Sequence, residues 1–174
     1  LTKLYNYRYF ENYLQNLFED MKAKGFYEYH SLILLDLDHF KQINDLYGHE
    51  SGNEVLRELA FRLDQLSNED TIVARYGGEE FVLLLKTRTK EEAMEEAEQI
   101  RKLISEQPFF LQKHITNSGE AIEVYVTASI GVATYPDDCD ECTELIRHAD
   151  RAMYVGAKRK GRNKVAQYER IIEA

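Results

Sequence analysis

Hydrophobic residues recur every three or four positions in five stretches of the chain, the spacing of a helix with one buried face. The first stretch begins at Tyr7, and Gly25 ends the helix that it predicts. Thr89 and Glu92 form a capping-box pattern at the start of another helix, which stops before Pro108. The predicted helices cover residues 7–24, 40–47, 53–66, 89–107 and 145–153.

Strands are predicted where apolar residues run together or alternate with polar ones. A strand is predicted over residues 30–37, and the unbroken apolar run at 32–35 within it is typical of a strand that is covered on both faces. Alternation over residues 122–134 predicts one long strand, and residues 164–167 predict a short last one. Residues 109–121 are ambiguous and form a small hairpin or a loop around residues 117–119.

A double glycine interrupts the apolar residues of the segment 71–85. Because glycine adopts positive φ angles at little cost, Gly77 and Gly78 predict a hairpin with a two-residue turn. Glu79 and Glu80 follow at once. Successive strand side chains point to opposite faces, so one glutamate can face a site while the other supports it. The alternative for this motif taken alone is an exposed, charged turn without function.

A second acidic cluster comes directly after the buried strand. Asp36 and Asp38 follow the buried run of residues 31–35. Acidic side chains at the end of a buried strand mark the rim of a sheet, where a cation can offset their charge. We therefore predict that Asp36 and Glu79 converge at that rim.

The order of these elements predicts the fold class. One helix, a strand, two helices, a hairpin, a helix, a strand, a helix and a last strand indicate a single α+β domain over residues 1–174. The expected architecture is ferredoxin-like, with a central mixed antiparallel sheet of about five strands flanked by helices, mostly on one face. The start without methionine suggests a domain of a longer signalling protein whose regulatory part is absent.

Composition and charge narrow the function. A net charge of −9 argues against a nucleic-acid partner, which would need a broad basic face. No apolar run approaches the roughly 20 residues of a membrane helix, so we expect a cytoplasmic domain without membrane contact, even if the parent protein is tethered to one. The basic residues between Lys158 and Lys164 suit a compact phosphate ligand or form an exposed, solvated face.

The two cysteines have the C-x-x-C spacing of redox pairs and of half zinc sites. No second Cys/His pair lies near Cys139 and Cys142, and four acidic residues around them disfavour a reactive thiolate. We expect ordinary reduced thiols.

Seven short motifs follow one another along nearly the whole chain. They are LTKLYN at residues 1–6, LDLDHFKQIND at 35–45, YGH at 47–49, RYGGEEF at 75–81, TASIGVA at 127–133, AD at 149–150 and KRKGRN at 158–163. In this order and spacing the chain resembles the GGDEF domain, the catalytic unit of diguanylate cyclases. The resemblance implies a palm-like fold related to nucleotidyl cyclases and polymerases.

The resemblance also implies a reaction, the condensation of two GTP molecules into cyclic di-GMP with loss of two pyrophosphates. Each 3′-hydroxyl attacks the opposite nucleotide, so two copies of the domain must face each other in a transient homodimer. Asp36, the backbone carbonyl of Leu37 and Glu79 would bind Mg²⁺ or Mn²⁺. Glu79 is also the implied general base, and Glu80 supports the turn or a metal.

Further positions of the resemblance concern GTP. The backbone amides of His39, Phe40 and Lys41 would cradle the β- and γ-phosphates at a helix start. Lys158 and Arg162 would contact the same phosphates.

The helix that carries the two basic residues departs from the family's commonest spacing. Between residues 149–150 and Lys158 the chain has one residue more than many relatives, with Gly156 as the extra position. The spacing between Lys158 and Arg162 is unchanged.

Asn44 would read the guanine base, with Leu56 lining its pocket. The family usually has Asp where this chain has Asn53, and an amide offers one acceptor oxygen and a donor. Asn53 therefore either still serves guanine or relaxes base selectivity towards cyclic GMP–AMP synthesis.

Many relatives carry Arg-x-x-Asp before the glycine turn as an inhibitory product site. Asn68 and Thr71 stand at those two positions here, which predicts no tight feedback inhibition. The leading hypothesis remains an active cyclase. The rival is a catalytically weak GTP-binding module that regulates a partner.

Overall fold

A five-stranded mixed sheet forms the centre of this computed structural model, which describes residues 4–115 and 119–169. The helices are α1 (Tyr7–Lys24), α2 (Phe40–Tyr47), α3 (His49–Asp64), α4 (Lys90–Ser105) and α5 (Cys142–Arg151). The strands are β1 (His30–Leu37), β2 (Thr71–Arg75), β3 (Glu80–Lys86), β4 (Phe109–Ile115), β5 (Ala121–Val124), β6 (Ala128–Tyr135) and β7 (Val165–Gln167). The sheet order is β2–β3–β1–β6–β7, with β6 and β7 parallel and the other neighbours antiparallel. The predicted α+β, palm-like fold class is confirmed.

Strand β1 lies between β3 and β6, and all eight of its residues are buried. Ile33 and Leu35 pack on one side with α3 and α4, whereas Leu32 and Leu34 pack on the other side with α1 and α5. Helices therefore cover both faces of the sheet, and the expectation that they lie mostly on one face was wrong. A continuous apolar strand shows that both faces are covered but not which elements cover them.

The long strand predicted over residues 122–134 is two strands. β5 ends at Val124 and pairs with β4 in a separate hairpin, while β6 begins at Ala128 in the central sheet. Val124 and Ala128 still belong to the same hydrophobic cluster, so the alternation is real although the strand is broken. At the break, the Asp38 amide donates to the Thr127 carbonyl oxygen over 2.8 Å and holds the chain at the end of β1. The predicted hairpin or loop at residues 117–119 includes two residues that lie outside the described ranges.

Helix α3 begins four residues earlier than residue 53. Gly48 alone separates it from α2, and its φ of 90° is a conformation that favours glycine. Asn53 therefore lies at the start of the second turn of α3 instead of at its first residue.

Helix α5 does not end as a simple α-helix. It continues as a π-helical segment at Ala152–Ala157, called the π turn below, and then as a 3₁₀ turn at Lys158–Lys160. None of the helices in the described ranges has the length and apolar character needed to cross a membrane.

Both cysteines are free thiols near the start of α5. Cys139 is fully buried, and burial raises the pKa of its thiol to about 12. Burial also raises the pKa of the Cys142 thiol. The thiolate form of both residues is therefore scarce at neutral pH, as expected for reduced thiols without redox chemistry.

Candidate active site

Asp36 and Glu79 lie next to each other at the rim of the central sheet. In the β1–β3 register Asp36 is opposite Glu80, and the Leu37 amide donates to the Glu79 carbonyl oxygen over 3.4 Å. Asp36 itself is only 4% exposed. Burial first, and then the negative charge of Asp36, raise the pKa of both glutamates. The structure thus brings together the two carboxylates that the sequence analysis placed at this rim.

The turn that carries Glu79 differs from the predicted one. Four residues follow Arg75 before β3 begins, and the Glu80 carbonyl oxygen accepts from the amides of Tyr76 at 2.9 Å and Gly77 at 3.3 Å. Neither Gly77 nor Gly78 has a positive φ, so the predicted reason for the double glycine was wrong. Instead, the Arg75 guanidinium donates to the carbonyl oxygens of Gly77 at 3.0 Å and Gly78 at 2.6 Å, which stabilises the turn.

Lys158 reaches the same rim from the far end of the chain. Its ammonium group is ion-paired with the Oδ2 atom of Asp36. This pair lowers the pKa of Asp36, but burial raises it by more, so the pKa of Asp36 remains above its ordinary value. The predicted phosphate-binding lysine is therefore in direct contact with the predicted metal-binding aspartate.

Asp38 has a role at this rim that the sequence analysis did not assign. Its Oδ2 atom accepts from the Thr127 hydroxyl at 2.7 Å and from the Asn163 amide at 2.9 Å, and its Oδ1 atom accepts from the Ser129 hydroxyl at 2.7 Å. The buried carboxylate thus joins the end of β1, the start of β6 and the segment that follows Lys158. The acid-x-acid spacing of Asp36 and Asp38 was the available signal.

The predicted phosphate cradle begins one residue after Asp38. His39 precedes α2 with a φ of 57°, and Phe40, which starts the helix, is buried in the core. The first amides of a helix have no partner within it, so those of Phe40 and Lys41 can receive an anion. Arg162 is exposed, and its backbone amide donates to the Ala157 carbonyl oxygen over 3.0 Å.

The predicted base-reading residues lie where α2 meets α3. A Cβ atom at Gly52 would overlap the side-chain oxygen of Asn44, so glycine permits this close contact. Asn53 follows and is half-buried, whereas Leu56 is 3% exposed and belongs to the hydrophobic core. Asn44 and Asn53 are therefore near each other, and Leu56 lies behind them in the core.

One oxygen of Asp36 suits a bound cation. Oδ1 is buried, and no N–H or hydroxyl group of the described residues donates to it. The neighbouring carboxyl of Glu79 can donate only when it is protonated. The described residues contain no group of three or more His, Cys, Asp or Glu side chains that could hold a metal ion, so the two carboxylates would be completed by other oxygens, from the backbone, water or a bound phosphate. The carbonyl of Leu37 is adjacent and is one such oxygen.

Asn68 and Thr71 are used within the protein itself. Their backbones exchange hydrogen bonds of 3.1 and 3.4 Å, and the Asn68 side chain accepts from the Asp70 amide at 2.8 Å. The Thr71 hydroxyl accepts from Arg88 at 3.2 Å. Neither side chain supplies the charge of the Arg or Asp that it replaces.

Comparisons with known proteins agree with this architecture. Residues 1–164 match the sequence profile of the family described as diguanylate cyclase, GGDEF domain. Diguanylate cyclase A of Treponema denticola is 40% identical over 135 residues, which are 78% of this chain and 34% of that protein. The response regulator PleD of Caulobacter vibrioides is 38% identical over 165 residues, 95% of this chain and 34% of that protein. The chain thus spans about a third of the length of both relatives.

A solved structure shows the same fold. The GGDEF domain of DgcB from Caulobacter crescentus, determined in complex with c-di-GMP, superposes with a TM-score of 0.82 at 30% sequence identity. The match covers 97% of this chain and 91% of that one.

Proposed function

The chain belongs to the GGDEF family of diguanylate cyclase domains, and from this premise we propose that it condenses two GTP molecules into cyclic di-GMP and two pyrophosphates. The observation that supports the proposal is the meeting of Asp36, Glu79 and Lys158 beside the open start of α2. Such a site combines two carboxylates, the ammonium group of Lys158 and the first backbone amides of a helix.

Glu79 is the general base in this proposal. The 3′-oxygen of one GTP forms a bond to the α-phosphorus of the other, the bond to pyrophosphate breaks, and the hydroxyl proton passes to the carboxylate. Burial and the charge of Asp36 raise the pKa of Glu79. A raised pKa brings the carboxylate's proton affinity closer to neutral pH, which favours general-base catalysis. Glu80, opposite Asp36, supports the turn.

The site would hold Mg²⁺ or Mn²⁺ through Asp36 Oδ1, the Leu37 carbonyl and Glu79. When bound, such an ion neutralises phosphate charge and increases the acidity of the attacking hydroxyl. The amides of His39, Phe40 and Lys41 and the side chains of Lys158 and Arg162 would hold the phosphates. Asn44 and Asn53 would contact the base.

Two copies of the chain are required. A cyclic product needs two attacks in opposite directions, and each chain offers one site with one general base. The active species is therefore a homodimer whose two sites face each other, each holding one GTP.

Two further candidates rest on Asn53. An amide at this position offers guanine one acceptor oxygen where a carboxylate offers two. A chain with weakened guanine contact is either a catalytically weak GTP-binding module that regulates a partner or a cyclase that also makes cyclic GMP–AMP.

Turnover of GTP by a forced dimer tests the proposal. The chain, fused to a parallel coiled coil, is incubated with GTP and Mg²⁺ or Mn²⁺, and the product is identified by mass spectrometry. We expect cyclic di-GMP, no turnover by Glu79→Ala, and unchanged turnover by Glu95→Ala, which alters an exposed residue of α4. A forced dimer that binds GTP without turnover would instead support the regulatory module.

A further inference from the structure

The π turn lies between two fixed points of the fold. Upstream, α5 rests on Gly131 of β6 so closely that a Cβ atom there would overlap the Ala149 carbonyl oxygen and the Met153 amide. The helix can therefore neither slide nor rotate at Met153 without losing this contact. The end of α5 and the start of the π turn, as far as Met153, are thus held against β6.

The chain after the π turn is fixed as well. Lys158 is paired with Asp36, and the amide of Arg162 donates to the Ala157 carbonyl oxygen over 3.0 Å. The Asn163 amide donates to Asp38. The downstream end is therefore anchored to the end of β1, the strand that pairs directly with β6.

The two fixed points constrain how many residues can connect them. An α-helix turns its side chains by about 100° and advances by 1.5 Å per residue, so one added residue would point Lys158 about a quarter turn away from Asp36. A π turn closes its hydrogen bonds from residue i to i+5 and holds one residue more in a single turn. The wider turn can therefore contain an added residue without changing the direction of the chain that follows.

The wider turn needs space on its inner side. A Cβ atom at Gly156 would overlap the Cβ atom of Ala166 in β7. Val155, the preceding residue, is 39% exposed. Glycine thus allows the π turn to lie against β7, while its neighbour remains on the outside.

We propose that the π turn absorbs one extra residue so that Lys158 faces Asp36, and that Gly156 is the positioning residue that lets the turn pack on Ala166. Only the consequence for GTP rests on the proposed function. The contact between Lys158 and Asp36 is a property of the fold and can be observed without turnover.

A matched pair of length variants tests the first part. Deleting Val155 removes an exposed residue and leaves Gly156 in place, so the π turn can contract to an α-turn with Lys158 still beside Asp36. Inserting an alanine next to Val155 adds a second extra residue at the same point. In the forced dimer we expect the deletion to keep the KM for GTP within about threefold and the insertion to raise it at least tenfold. The proposal is overturned if the deletion is as harmful as the insertion.

Crystal structures of the chain and its Val155 deletion separate this inference from the proposed function. The unchanged chain should show the π turn, and the deletion should show α-helical hydrogen bonds through this segment with the Lys158–Asp36 contact retained. An absent π turn, or a deletion variant with Lys158 turned away, refutes the inference whether or not the chain makes cyclic di-GMP. Conversely, both features in a chain without turnover leave the inference standing and refute the proposed function.

A compensating pair tests Gly156. Gly156→Ala should raise the KM for GTP at least tenfold, because its Cβ displaces the π turn from β7. Ala166→Gly removes the opposing Cβ and should be neutral alone, but should restore the KM of the Gly156→Ala chain to within about threefold. Thermal unfolding is recorded for each variant, so that a raised KM is measured on folded protein. A lack of rescue in a folded double variant contradicts the positioning role.

Discussion

The ammonium group of Lys158 is paired with the Oδ2 atom of Asp36, although the two residues are 122 positions apart in the sequence. Asp36 is buried, and its second oxygen, Oδ1, receives no hydrogen bond from an N–H or hydroxyl group of the described residues. The lysine thus supplies the positive charge at a carboxylate that we propose also binds a divalent cation.

Removal of this lysine should make folding depend more strongly on metal. Lys158→Met leaves the buried carboxylate of Asp36 without its counter-ion, which we expect to cost about 1–3 kcal/mol of unfolding free energy at pH 7.5. Since Mn²⁺ would replace the missing positive charge, the ion should raise the melting temperature of the variant more than that of the unchanged chain. A concentration of about 5 mM exceeds the dissociation constant of a weak site. Lys160→Met, at an exposed position, is the control. Equal responses of both variants to Mn²⁺ would argue against a cation at Asp36.

The raised pKa of Glu79 should appear as a pH dependence of stability. The pKa of Glu79 is raised in the folded protein, first by burial and then by Asp36, so deprotonation destabilises the fold as pH rises through the folded pKa. Well below its ordinary value of 4.5, Glu79 is protonated in both states and this cost is absent. In metal-free buffer, Glu79→Gln should therefore melt above the unchanged chain at pH 7.5, with the difference shrinking towards pH 4. Calorimetry in buffer with EDTA measures this difference in melting temperature, and a difference that is constant with pH would count against a raised pKa of Glu79.

The chain should select GTP over ATP, and a substitution at Asn53 should lower its KM for GTP. We expect the forced dimer, given equal GTP and ATP, to release cyclic di-GMP alone, because the side-chain oxygen of Asn53 can accept a hydrogen bond from guanine. Asn53→Asp adds a charged acceptor and should lower the KM for GTP about tenfold, the equivalent of about 1.4 kcal/mol. Mass spectrometry identifies the products. Cyclic GMP–AMP in the mixture would show that selectivity is relaxed.

Cyclic di-GMP should not inhibit the proposed turnover through the segment around Asn68. The side chains of Asn68 and Thr71 accept hydrogen bonds from Asp70 and Arg88 within the protein. Both are uncharged, so they offer neither a cation for a phosphate nor a carboxylate for the edge of a guanine. Calorimetric titration of the chain with cyclic di-GMP should show no tight binding, and the product should not slow early turnover. Tight binding that Asn68→Ala abolishes would refute this prediction.

Arg62 should contribute more to stability than any exposed arginine of α3. It is 6% exposed and donates to backbone carbonyls at the end of α4 and beyond, including Leu103 at 3.1 Å and Pro108 at 2.8 Å. Its guanidinium also stacks over the Phe109 ring at 3.9 Å. Arg62→Met leaves these acceptors unsatisfied and should cost about 2–4 kcal/mol in urea unfolding. Arg57→Met, exposed on the same helix, should cost about 0.5 kcal/mol or less.

Much of the local structure was predictable because it follows from short-range patterns. Gly25 ends α1 in the left-handed conformation, and Thr89 and Glu92 form the predicted capping box of α4. The predicted strand at residues 30–37 matches β1. Each of these features depends on neighbours within one or two turns.

One prediction was wrong where distant parts of the chain meet, and another was wrong within a single turn. The alternation over residues 122–134 correctly indicates buried positions, but the Asp38 amide holds the chain at Thr127, where the predicted strand is divided into two. At the double glycine the cause is local, because Arg75 donates to the carbonyl oxygens of Gly77 and Gly78 in its own turn, and neither glycine has a positive φ. A sequence pattern reports which side chains are buried, and it does not report which backbone group will accept a hydrogen bond from a remote residue.

The sequence by itself determined the order of helices and strands and put carboxylates at the end of one buried strand and just beyond a glycine turn. Periodic burial and turn chemistry are local properties, so they can be read without the fold. Only the tertiary structure decided that helices cover both faces of the sheet and that Lys158 faces Asp36 through a π turn. Which helices cover each face depends on packing between distant segments. The π turn depends on the distance between two fixed contacts, and that distance is set only when the sheet has formed.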